Sequence, residues 1–203
     1  MSRTVYTIGY TSFSIDEFIN QIQKYNIRCV IDVRSYPVAS EFYHVYSRFS
    51  LEPILNKNKI IYRNYATEFG ARQTDLSFYS NNQLDFQKFI KSKNFIAGIE
   101  KIKKGIELGY TFALMCAEKN PVNCHRAIMV GKGLRDSGIP VKHILPDKTL
   151  LSQQEIDDEL LDIYFPNRKQ LSLFENIDFD TMIEKAYCFQ NKKIGYKIEE
   201  FAS

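Results

Sequence analysis

The chain has 203 residues, with 27 Lys and Arg against 24 Asp and Glu, a formal net charge of +3. Its 44% hydrophobic and 25% charged content match an ordinary globular domain and exclude collagen-like, mucin-like and wholly disordered chains. No apolar run reaches the roughly 20 residues that span a bilayer, and the opening MSRTVYTIGY lacks the basic and then apolar regions of a signal peptide, so a cytoplasmic location without a membrane partner is expected. That compartment keeps the four cysteines, at 29, 116, 124 and 188, as thiols.

Divided at residue 150, the chain falls into two unlike parts. Residues 1–150 hold 21 Lys and Arg against 13 Asp and Glu, a net +8, whereas residues 151–203 hold 6 against 11, a net −5. The expected organisation is a basic α/β domain over 1–150 and an acidic helix plus tail over 151–203. In chain order, Thr4–Tyr10 reads as the first strand. Ser14, three residues before Glu17, makes a capping box that opens an amphipathic helix to about Tyr25. Cys29–Val33 is almost unbroken apolar, the pattern of a central parallel strand buried on both faces. An aromatic-rich loop with Pro37 leads to a helix near Leu51–Asn56 and a third strand over Ile60–Asn64.

Phe89, Ile90, Phe95, Ile99 and Ile102 recur at helical spacing within a helical region of roughly 83–108. Lys88, Lys91, Lys93, Lys101, Lys103 and Lys104 accompany them against the single acid Glu100; they are either a solvated face or a phosphate-attracting surface without sequence specificity. Tyr110–Cys116 reads as a buried strand, followed by a polar loop, a helix from about His125 to Asp136 and a strand over Val141–Leu145. Ser152 and Glu155 form a second capping box, opening an acidic helix that Pro166 stops. Strands alternating with helices predict an α/β fold of three layers, a mostly parallel sheet flanked by helices, with a C-terminal helical or extended tail.

In open α/β sheets ligands bind beyond the carboxyl ends of the strands, and this gathers scattered residues into one candidate site. Tyr10, Thr11 and Ser12 follow the first strand, Asp32, Arg34 and Ser35 close the second, and Cys116, Glu118, Cys124, His125 and Arg126 follow the strand at 110–116. Asp32, embedded in an apolar strand, needs a partner and is read as the acid/base group. Asn123 or Cys124 caps the next helix, where backbone N–H groups favour an anion, and Arg126 adds a bidentate donor. Ser12, Arg34, Cys116 and Arg126 are therefore read as substrate- or phosphate-binding. A thiol at a helix start beside His and Arg is acidified, which makes Cys124 the nucleophile candidate, with Glu118 and His125 as further reacting groups. Cys116, Cys124 and His125 also admit a second reading as zinc ligands, although the cysteines, eight positions apart, depart from the close pairs of structural zinc sites. No cofactor is otherwise required by the sequence.

Thr7-Ile8-Gly9-Tyr10 with Ser12, Asp32-Val33-Arg34-Ser35 with Pro37 and Ser40, the Tyr62 strand, and Cys116-x-Glu118 followed by Cys124-His125-Arg126 together resemble the bacterial and archaeal domain-of-unknown-function family 488 (DUF488), over residues 4–145. Tyr10 stands where that family frequently has His, and Phe69-Gly70-Ala71 where Leu-Gly-Gly is usual. The resemblance implies where the site lies and leaves its reaction open.

Beyond Pro166, Gln170-Leu171-Ser172-Leu173-Phe174 looks like the peptide by which bacterial polymerases and repair proteins hold the sliding clamp. In that reading Leu171, Leu173 and Phe174 fill an apolar groove of the partner while Gln170 hydrogen-bonds its rim; the competing reading packs them back on the domain beside a last helix containing Met182, Ile183 and Tyr187. A basic body, an anion-ready helix start and a clamp-like peptide lead to an expectation of a hydrolase or transferase acting on DNA or a nucleotide-like, phosphate-bearing substrate in repair or genome maintenance. The alternatives are a noncatalytic DNA-binding or clamp-tethered adaptor and a cysteine-dependent small-molecule enzyme of thiol or sulfur chemistry.

Overall fold

The computed structural model describes residues 4–168 and 178–198. Strands β1 (Val5–Gly9), β2 (Cys29–Asp32) and β3 (Ile61–Asn64) are followed by the short hairpin β4 (Tyr79–Ser80) and β5 (Gln83–Leu84), then β6 (Phe112–Cys116), β7 (Val141–Ile144) and β8 (Leu150–Ser152). Six of them form one sheet in the order β3-β2-β6-β1-β7-β8, parallel throughout except for β8, which runs antiparallel to β7. The helices are α1 (Ile15–Lys24), α2 (Arg48–Lys57), α3 (Ala66–Phe69), α4 (Phe86–Phe89), α5 (Lys93–Glu107), α6 (Lys132–Asp136), α7 (Gln153–Tyr164) and α8 (Phe179–Ile194), with a π-helical segment at Arg126–Gly131 running into α6. This is the three-layer α/β fold expected from the alternating pattern. Among the described residues no helix is long and apolar enough to cross a membrane.

Side chains on a strand alternate between faces, so the apolar runs of β2 and β6 feed two cores. Cys29, Ile31, Leu114 and Cys116 pack on one face against Phe95, Ile99 and Ile102 of α5 and Ile128, Leu134 and Leu160 beyond. Val30, Ala113 and Met115 pack on the other, against Phe18 and Ile22 of α1 and Leu51 and Leu55 of α2. Both capping boxes form: Ser14 and Ser152 each accept from the backbone N–H three residues on, and Glu17 and Glu155 each accept from the N-cap N–H. Each such cap stabilises its helix by about 1 kcal/mol.

The C-terminal segment, expected as an acidic helix plus tail, joins the body: β8 extends the sheet, and Ile156, Leu160, Ala186 and Tyr187 sit in the same core as α5. The acidity is spent internally, since Arg135 pairs with Asp157 and Lys132 binds Glu184 at 2.8 Å. Residues 170–174, the clamp-like peptide, lie outside the described residues. Of the basic run, Lys101 pairs with Glu68 at 2.5 Å and Lys103 with Glu100 at 2.9 Å, while Lys91 and Lys93 stand exposed.

Candidate functional site

The sheet order creates the crevice. From β2 the chain continues outward to its neighbour β3, whereas from β6 it continues to β7 on the far side of β1, so the loops after β2 and β6 diverge at the carboxyl rim. Such a divergence is where ligands sit in open α/β sheets. A cavity of about 440 Å³ opens there, lined by Tyr10, Arg34, Arg72, Cys116, Glu118, Cys124 and His125 among others. Five expected site residues, Arg34, Cys116, Glu118, Cys124 and His125, therefore meet in one place.

The β6 side is a compact cluster. Cys116 Sγ lies 3.4 Å and Cys124 Sγ 3.5 Å from the same oxygen, Glu118 Oε2. His125 Nδ1 stands 3.8 Å from Cys116 Sγ and 3.9 Å from Cys124 Sγ, while its Nε2 is 3.0 Å from the carbonyl oxygen of Val33. A carbonyl only accepts, so Nε2 carries a proton, and Nδ1 is the nitrogen that faces the sulfurs. Burial pushes the Cys124 thiol up, but the Cys116 thiol, Arg126 and His125 outweigh it and hold Cys124 well below the ordinary thiol range. Cys116, beside that sulfur and buried, is pushed well above it. His125, which burial pulls down, is held above its usual value by the Cys124 sulfur.

The loop that brings Cys124 back over Cys116 is fixed by Arg126. This guanidinium is 0% exposed; Nη1 donates to Glu118 O at 2.6 Å, Nη2 to Lys119 O at 3.1 Å and Nε to Thr7 Oγ1 at 3.3 Å. Gly9 makes room, because a Cβ there would stand 1.9 Å from Glu118 O. The expectation that Arg126 holds a substrate phosphate thus meets an arginine outside the cavity lining with every nitrogen engaged by protein. Cys124 O does begin the following helix, accepting from the N–H groups of Ala127 and Ile128 at 3.1 Å each.

The β2 side is built differently. Asp32 is 0% exposed and takes Arg34 in a fork, Nε to Oδ1 at 2.9 Å and Nη2 to Oδ2 at 2.6 Å, while the Tyr62 hydroxyl donates to Oδ2 at 2.7 Å. Burial, reinforced by Asp32, pushes the Tyr62 phenol up, so it stays protonated as a donor. Arg34 Nη2 also reaches Tyr46 O at 2.8 Å, and the guanidinium carbon lies 5.0 Å above the centre of the Tyr10 ring. Its remaining nitrogen, Nη1, is buried without a hydrogen-bond partner among the described residues, as is Ser12 Oγ. Burial raises the phenol pKa of Tyr10. Asp32 and Ser12 are not among the residues that line the cavity.

Arg72 has no strand-end signature in the sequence, and the structure brings it to the same cavity. Ser35 Oγ accepts from the Arg72 N–H at 2.8 Å, and the guanidinium carbon lies 4.6 Å from the ring centre of Tyr196 and 5.5 Å from that of Tyr36. Gly70 permits that approach, since a Cβ there would meet Ser35 Oγ at 2.8 Å and Ala66 O at 2.4 Å. Through Ser35, Tyr36 and Arg72 the cavity joins a second groove of about 640 Å³ that reaches Lys91 and Lys93.

Fold and rim together define an α/β protein with a thiol, imidazole and carboxylate cluster facing an arginine-lined crevice. The chain belongs to the family described as domain of unknown function DUF488, whose profile matches residues 14–131. That span contains the Asp32–Arg34 pair and the whole Cys116–Arg126 loop. Neither the curated proteins nor the solved structures compared with the chain gave a match.

Proposed function

We propose that the chain is an enzyme that hydrolyses or transfers a group on a phosphate-bearing, nucleotide-like substrate, with DNA in repair or genome maintenance as its setting. The observation that carries this reading is Arg34 Nη1, a buried cationic donor with no partner among the described residues, on an arginine that lines the same cavity as Cys116, Glu118, Cys124 and His125. An unpaired buried donor costs about 1–3 kcal/mol, and an anionic oxygen of the substrate offsets that cost. Arg34 and Arg72 hold the anion, the sulfur, imidazole and carboxylate groups react, and the groove toward Lys91 and Lys93 takes the flanking phosphates. Asp32 and Arg126 act through others: Asp32 orients Arg34, and Arg126 holds the Glu118 loop. Residues 170–174 supply the tether to a sliding clamp.

The test is turnover of single-stranded DNA, duplex DNA with damaged bases, and free nucleotides by the wild-type chain, Glu118→Gln and Cys124→Ser. The reading predicts product from at least one class and its loss in both variants. Salt-sensitive DNA binding without turnover, unchanged in both variants, would make the protein an adaptor instead. For the tether, the intact chain should bind bacterial clamp and lose it in Leu173→Ala with Phe174→Ala; no binding by the intact chain overturns that part. One observation favours a second reading, thiol-dependent small-molecule chemistry: the Cys124 sulfur lies against both a carboxylate and an imidazole.

A further inference from the structure

We propose that Cys116, Cys124 and His125 form a binding site for a thiolate-preferring divalent metal of the zinc class, with its open coordination position facing the rim cavity. The inference deepens the functional reading, because it uses the same cluster, but it does not depend on the substrate class.

The geometry carries it. Bonds of about 2.3 Å to sulfur and about 2.0 Å to nitrogen place the ligand atoms of tetrahedral zinc roughly 3.5–3.8 Å apart. His125 Nδ1 stands 3.8 and 3.9 Å from the two sulfurs, and the three ligand atoms all lie within 4.8 Å of one another. An ion needs only small side-chain movements to take its place among them. A metal-binding imidazole characteristically donates its other N–H to a carbonyl or carboxylate, which fixes the tautomer and aims the lone pair; His125 Nε2 does this with Val33 O at 3.0 Å. Two cysteines and a histidine leave a fourth position, the arrangement of catalytic rather than structural zinc sites. Glu118, whose carboxylate touches both sulfurs and lines the cavity, is placed to take a proton from a water held at that position.

The spacing of eight positions from one cysteine to the other, which argues against zinc in the sequence, is closed by the loop. Asn120 Oδ1 accepts from Val122 N–H at 2.9 Å to start a single turn over Pro121–Asn123, and Arg126 pins the carbonyls of Glu118 and Lys119. The spacing rule for pairs such as C-x₂-C describes ligands delivered by one tight turn. Here a strand end and a helix start deliver them, and the fold brings the two together.

The experiment measures metal in the full chain purified without chelator, and then the absorption spectrum after the metal is removed and replaced by cobalt(II). The expected result is about one equivalent of zinc per chain, a thiolate-to-cobalt charge-transfer band with the strong visible bands of a tetrahedral site, loss of both in Cys116→Ser and Cys124→Ser, and retention of the metal in Glu118→Gln. Circular dichroism of each serine variant separates loss of the site from loss of the fold. The inference is overturned if the wild-type chain carries no metal and reconstitution gives no cobalt–thiolate band, or if the cobalt spectrum survives in Cys124→Ser. Metal without anion binding at Arg34 would sink the functional reading and leave this one standing; salt-sensitive anion binding by a chain that takes up no metal would do the reverse.

Discussion

Two arginines follow the two strands whose loops form one crevice, and their surroundings differ. Arg126, after β6, is fully enclosed and directs all three of its nitrogens to protein oxygens. Arg34, after β2, is 6% exposed, spends two nitrogens on Asp32 and Tyr46, and keeps Nη1 without a partner among the described residues. Residue type alone gives both the same reading, a phosphate holder. A count of where each donor goes separates an arginine whose donors are all engaged by protein from one with a donor to spare.

The comparison breaks first at Arg126. Arg126→Met removes the fully buried guanidinium and its bonds to Glu118 O, Lys119 O and Thr7 Oγ1, and should cost about 3 kcal/mol or more, read as a lower midpoint in urea unfolding. A variant of near wild-type stability would mean that these bonds do not hold the loop.

Next in size is Arg34→Lys. The ammonium still neutralises Asp32 but cannot span Asp32 and an anion together. Affinity for a nucleoside monophosphate should fall about 10- to 100-fold, the worth of a hydrogen bond to a charged group, while the unfolding midpoint moves less than in Arg126→Met. Calorimetric titration checks the affinity, and equal binding by the variant would remove Arg34 from the ligand.

A third prediction concerns acid. Thr7 Oγ1, which Arg126 donates to, is 2.8 Å from His143 Nδ1, and His143 Nε2 is 3.0 Å from Gln153 Oε1. Burial, together with Arg126, pulls the His143 pKa down to about 3, against about 6.5 in the unfolded chain. A depressed pKa gives stability that is complete above the unfolded value and is lost as pH falls toward the folded one. Stability should therefore decline between about pH 6.5 and about pH 3, by up to about 1.4 kcal/mol per pH unit from this one group. His143→Gln should flatten that slope, measured as unfolding free energy against pH.

The smallest effect is expected at Arg72, whose side chain is exposed. Arg72→Ala should weaken anion binding only a few-fold, since exposed charge contacts contribute about 0.2–1 kcal/mol, and the loss should shrink as salt is added. A loss larger than that of Arg34→Lys would reverse their roles.

Much of this arrangement was legible in the sequence. The apolar runs at Cys29–Val33 and Tyr110–Cys116 became β2 and β6, both capping boxes formed, and Arg34, Cys116, Glu118, Cys124 and His125, singled out by the strand-end rule, line one crevice. What escaped the reading has identifiable reasons. β8 and the β4–β5 hairpin are too short for alternation to register. The net charge of the acidic C-terminal segment conceals pairing, since its Asp157 and Glu184 find Arg135 and Lys132 in the body. Arg72 arrives through the Ser35 hydroxyl and two tyrosine rings distant in sequence, contacts that no local pattern encodes. The closeness of Cys116 and Cys124 depends on the Arg126-bound loop, so their separation in sequence overstated their separation in space.

The central claim, that the crevice receives a phosphate-like anion at Arg34, is tested most directly by crystals soaked in tungstate, a phosphate analogue located by its anomalous scattering. The account predicts a tungstate in the rim cavity with an oxygen on Arg34 Nη1 and within reach of Arg72, absent in Arg34→Lys. A cavity that stays empty, or a tungstate bound elsewhere with Nη1 untouched, would contradict it.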